Sequence, residues 1–124
     1  MTAPTGTWNI NATGYKGTFK INSVTGTHLS GVIDIDPGFT DQLEGHWNEA
    51  AQEIVFNRFI DRGGATFIQT YTGCLFSSHE PLFMGENPPE NPPTLRLMTG
   101  SFVEVASNSD NAVFGWAARQ PIPH

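Results

Sequence analysis

Apolar and polar residues alternate along most of this chain. Gly6-Thr7-Trp8-Asn9-Ile10-Asn11-Ala12 is typical: every second position is apolar and every intervening one is free to face water. A period of two marks a strand with one buried face. It recurs in eight segments, at roughly 5–11, 15–22, 28–35, 41–47, 52–60, 65–77, 94–105 and 111–119. The one stretch with helix-forming residues, 47–56, is too short and lies between two strand patterns, so a turn at 48–52 is expected there. Glycine, asparagine, aspartate and proline punctuate the segments, and most links are only a few residues long. Short links make successive strands antiparallel neighbours. Left flat, an eight-stranded meander keeps two unpaired edges; closing it removes both. The predicted fold is all-β, an eight-stranded antiparallel up-and-down meander closed into a barrel, as a single domain over 1–124.

A second pattern supports closure. Gly6/Trp8, Gly17/Phe19, Gly31/Ile33, Gly45/Trp47, Gly73/Leu75 and Gly100/Phe102 each set a glycine and a bulky residue on one face of a strand. Strands in a closed barrel must coil, and a glycine permits the bend while its neighbour fills the space. On this register the inward face includes Trp8, Tyr15, Phe19, Trp47, Tyr71, Phe102 and Trp116, with Arg58, Gln69, Arg96 and Glu104 as inward polar positions.

The long connection at 77–94 is rich in proline, which keeps it out of the sheet and stiffens it. Its Leu82, Phe83 and Met84 need an apolar seat. The loop is expected to lid the barrel at the end where the links after strands two and four lie, or to dock on a neighbouring subunit.

Charge narrows the partners. Six basic residues stand against twelve acidic ones, a formal charge of −6, which argues against nucleic acid and against an anionic membrane surface. No apolar run approaches the ~20 residues of a membrane helix. The N-terminus has no secretory pattern, and a cytoplasmic location is expected. A lone cysteine, Cys74, excludes an intrachain disulfide and reads as a small buried strand residue. Few charges imply a partly apolar outer surface (Val55, Ile68, Leu95, Leu97, Val103 and Val105), so a homodimer or homotetramer is expected.

Gly6-Thr7-Trp8 at the start of the first strand resembles the Gly-x-Trp signature of calycin barrels, and the pattern along the chain is most similar to avidins. The resemblance implies the barrel. It also implies a cation from the last strand over the Trp8 indole, and Arg119 is the residue it points to. It does not carry the biotin site across: Ile10, Ile33, Phe67, Gln69 and Ala117 stand at or near the positions of the avidin polar set.

No other chemistry stands out. Asp34-x-Asp36 with Gly38 has the opening of a calcium loop, but Gly45 stands where the twelfth-place acid is needed, so a Pro-Gly turn is the better reading. The four histidines lack metal-ligand spacing, Cys74 with His79 is a remote nucleophilic pair, and no phosphate loop or serine elbow occurs. Neither a cofactor nor a catalytic set is expected. The reading is a non-enzymatic binding protein holding a small apolar or aromatic ligand among Tyr15, Trp47, Arg58, Gln69, Tyr71, Arg96, Phe102 and Trp116, with Trp8 and Arg119 structural. The alternatives are a surface recognition module such as a lectin, using loops like 108–111, and a barrel enzyme acting on a hydrophobic substrate.

Overall fold

In each strand one parity is buried and turns toward a common interior, while the last four strands also carry apolar residues on the outward parity. The computed structural model describes residues 3–79, 94–105 and 113–121. Its strands are β1 (Gly6–Ala12), β2 (Tyr15–Thr25), β3 (His28–Asp34), β4 (Asp41–Asn48), β5 (Glu53–Arg62), β6 (Ala65–His79), β7 (Thr94–Val105) and β8 (Val113–Pro121). They pair antiparallel in sequence order, and β1 pairs with β8 to close the barrel. No helix occurs among the described residues, and none there is long and apolar enough to cross a membrane. The helix-like stretch is a turn, tied by Ala51 N donating to Asn48 Oδ1 and by Gln52 Nε2 donating to the Glu49 carbonyl. The turn at 63–64 needs two residues with positive φ (61° and 91°), and two glycines provide them without strain.

The glycine positions mark where backbones approach most closely. A Cβ at Gly100 would lie 1.8 Å from the Thr72 carbonyl oxygen, and one at Gly17, Gly31 or Gly45 would lie 1.9–2.2 Å from a neighbouring carbonyl. Gly73, Gly100 and Trp116 are successive register partners on β6, β7 and β8. The indole lies across the two bare glycines, and its Nε1 donates to the carbonyls of Thr72 and Ser101, at 3.1 Å each. Small beside large thus extends across strands as well as along them.

One end of the barrel is filled. There Trp8, Leu29, Trp47, Leu75 and Met98 are buried, and Trp8 Nε1 donates to the Pro4 carbonyl. The cation over Trp8 belongs to Arg96, not Arg119. Arg96 Cζ lies 5.4 Å from the ring, and its guanidinium donates to Gln120 Oε1 and the Ala3 carbonyl. Arg119 pairs with Asn9 across the β1–β8 seam and faces solvent, because its neighbours Ala118 and Gln120 take the inward parity. We expect Trp8→Leu and Arg96→Met to couple by about 0.5–2 kcal/mol in a double-mutant cycle of urea unfolding. Additive effects would deny the contact any energetic weight.

Cys74 is exposed, not buried: with Gly73 and Leu75 facing in, it faces out. Arg96 and Glu104 sit on one strand eight residues apart, toward opposite ends of the barrel. Of the residues expected on the apolar outer face, Val55 is exposed while Ile68, Leu97 and Val103 are half-buried. Leu82, Phe83, Met84 and the 108–111 loop lie outside the described residues.

Candidate functional site

The other end of the barrel opens into a cavity of ≈ 540 Å³. It is built in rows, because residues of like parity on adjacent strands stand directly opposite one another. The deepest row is an aromatic ladder. Phe56, Tyr71, Phe102 and Phe114 are register partners on β5 to β8, with ring centroids 4.9, 4.6 and 5.3 Å apart. The first two pairs are stacked, and Trp116 meets Phe56 and Tyr71 edge-on from below. Offset and edge contacts of this kind add about 0.5–1.5 kcal/mol each beyond burial. The ladder climbs from buried Phe56 to Phe114, which is 41% exposed at the mouth.

The next row outward is polar. Arg58, Gln69 and Glu104 face each other across β5, β6 and β7. Beyond them Ile60 and Phe67, again partners, begin an apolar rim that Tyr15 and Ile35 continue. A wall that is apolar with a few convergent polar groups is the usual composition of a small-molecule site.

Arg58 is the buried charge of this row, 5% exposed, and its counter-ion is Asp41 at the start of β4. Arg58 Nε and Nη2 both donate to Asp41 Oδ2, at 3.0 and 2.8 Å. Arg62 adds Nη1 to Oδ1 at 2.9 Å and Nη2 to Oδ2 at 3.2 Å, and its Nη2 also reaches Asp36 Oδ2. The Asp41 carboxylate therefore accepts four charge-assisted hydrogen bonds. Burial alone pushes its pKa up, but the bonds from Arg62 and Arg58, with their positive charges, outweigh burial and hold it below the ordinary value. The bond to Asp41 likewise raises the pKa of Arg62, whose guanidinium lies 3.8 Å above the Phe39 ring. Tyr71 is pushed up chiefly by burial, so its phenol keeps its proton and donates to Gln69 Oε1 at 2.8 Å.

Five of the sequence-predicted ligand residues line the cavity: Tyr15, Arg58, Gln69, Tyr71 and Phe102. Trp116 lies beneath them. Trp47 and Arg96 belong to the filled end and face no part of it. The cavity opens at the end opposite the one to which the 77–94 connection leads, and not at the mouth that loop was expected to cover. At the other end, among the described residues, two indoles, Leu29, Leu75 and Met98 are buried together. Sequence reasoning missed Asp41, Arg62 and Phe114. Parity held the signal in each case, since Asp41 shares the face of Leu43, Arg62 that of Arg58, and Phe114 that of Trp116.

The chain matches no family profile, no curated protein and no solved structure. Among the described residues no group of three histidine, cysteine, aspartate or glutamate side chains is arranged to hold a metal ion. Asp34 ends β3, and Asp36 begins a turn in which Phe39 N donates to the Asp36 carbonyl while Arg62 takes the Asp36 carboxylate. What the arrangement offers is a hydrophobic, aromatic well with fixed hydrogen-bonding groups partway down.

Proposed function

We propose that this protein binds a small, partly aromatic molecule in the barrel without transforming it. The observation that carries the reading is the layered cavity, with an aromatic ladder as its floor and a polar row held rigid by Asp41 above it. A pre-organised site of this kind binds with little ordering cost. A place among calycin-like barrels, nearest in pattern to avidins, is part of the proposal. Its support is Gly6-Thr7-Trp8 opening the first strand of an eight-stranded meander; the cation over the indole comes from β7 and not from the last strand, and adds nothing to it. The proposed location is cytoplasmic, and the proposed state is a homodimer or homotetramer. The outer-face residues Val55, Phe59 and Phe76 support the latter, each more than a third exposed.

The experiment is a tryptophan-fluorescence titration with a panel of planar aromatic compounds. Trp116, 5.9 Å from Tyr71 under the floor, is the reporter. Binding is expected to quench it, to be lost in Phe114→Arg at the mouth, and to survive in Phe76→Arg on the outer wall. A panel without effect, or a Phe114→Arg variant with unchanged affinity, refutes the reading. Light scattering on the same samples that returns a 13.5 kDa particle refutes the oligomer.

A further inference from the structure

Gln69 holds the information about what the ligand looks like. Its amide has one acceptor, Oε1, and one NH2 donor group, Nε2. Two donors converge on Oε1: Arg58 Nη1 at 3.1 Å and the Tyr71 hydroxyl at 2.8 Å. A flipped amide would set its NH2 against Arg58 Nη1, donor against donor, so the guanidinium fixes its orientation. Nε2 must then turn away from both, and it has no hydrogen-bond partner among the described residues. Directly opposite on β7 stands Glu104, also lining the cavity, whose carboxylate has no hydrogen bond or ion pair among the described residues. Side chains so opposed have Cβ atoms about 4.5–5.5 Å apart, near enough for one flat group to meet both.

We infer that the ligand is a neutral planar molecule carrying an amide or lactam edge, its carbonyl facing Gln69 Nε2 and its N–H facing Glu104. This rests on the reading of the cavity as a ligand site and adds the chemistry of what enters it. A carboxylate of the same shape meets Glu104 with a like charge and offers it no donor. The two arginines do not invite an anion, because Asp41 and Asp36 already neutralise them and Glu104 leaves the group one charge negative. A bare hydrocarbon fills the apolar rows but offers Gln69 Nε2 and the exposed Glu104 carboxylate nothing in exchange for the water it displaces, which costs affinity.

The test compares 2-naphthamide, 2-naphthoate and naphthalene in the same fluorescence titration at neutral pH. The amide is expected to bind at least about tenfold more tightly than either. In Glu104→Gln the carboxylate should gain and the amide-to-carboxylate ratio should fall about tenfold, because the repelling charge is gone. Gln69→Glu keeps an acceptor for Arg58 and Tyr71 but removes the donor, so it should weaken the amide while sparing naphthalene. Near-UV circular dichroism confirms that both variants keep the barrel. If naphthalene binds but the amide binds no better than the carboxylate, or if Glu104→Gln leaves their ratio unchanged, the amide-edge inference falls and the aromatic site stands. If none of the three binds, both fall.

Discussion

Asp41→Ala is expected to destabilise the barrel by about 3–5 kcal/mol, because it leaves the buried Arg58 guanidinium without its counter-charge. Arg62 keeps Asp36 and lies nearer the surface, so Arg58 bears most of the loss. Removing both members is a different matter. Asp41→Leu combined with Arg58→Met takes away the stranded charge along with the pair, and should recover most of the stability. Urea unfolding of the two variants separates the cases; an Asp41→Ala protein within about 0.5 kcal/mol of the parent would deny the pair any role. Acid should act in the same direction. The folded-state pKa of Asp41 lies below its ordinary value of 3.8. Its contribution is therefore complete above about 3.8 and is lost as pH falls through the lower folded-state value.

Trp116→Ala should cost a similar amount, about 3–5 kcal/mol, the usual range for a large buried aromatic. The indole supports the ladder from below and covers two glycines, so its loss opens a hole that no neighbour spans. Gly73→Ala gives the complementary result. A Cβ there would lie 2.6 Å from Trp116 Cζ2 and 2.8 Å from the Thr99 carbonyl. It should be costly in the parent and less so beside Trp116→Ala, where the nearer obstacle has gone. Equal costs in the two backgrounds would show that the Thr99 backbone, and not the indole, sets the limit.

The architecture was legible because a half-buried strand writes its burial directly into the sequence, one residue in two. Eight such runs with short links leave few topologies open, and the predicted boundaries lie within a few residues of the observed ones. Parity was also enough to place Arg58, Gln69, Tyr71 and Phe102 on one inner wall. It failed where one residue of phase decides the outcome. Arg119 sits between two inward positions, and Cys74 between two others, so each points out. Which end stays open was not legible. That depends on how much side-chain volume converges at each rim, and the long proline-rich loop drew attention to the end that is full. The Asp41–Arg58 pair joins residues seventeen apart on adjacent strands, and only the β4–β5 register brings them together.

The seam between β1 and β8 is short. It joins 9–12 to 116–119, whereas β6 and β7 pair along 68–79 and 94–105. Every other pairing joins neighbours in the chain and can form as a hairpin, most of them across a link of only a few residues and at modest entropic cost. The seam brings together segments more than a hundred residues apart and gains few hydrogen bonds for doing so. Folding should therefore proceed as an open, curling sheet that closes last. Until then two bare edges face the solvent, one carrying Trp8 and the other Trp116, and each is able to pair with another chain as readily as with its own. The time spent before closure should therefore influence how readily this protein aggregates as it is made, alongside the stability of the finished barrel.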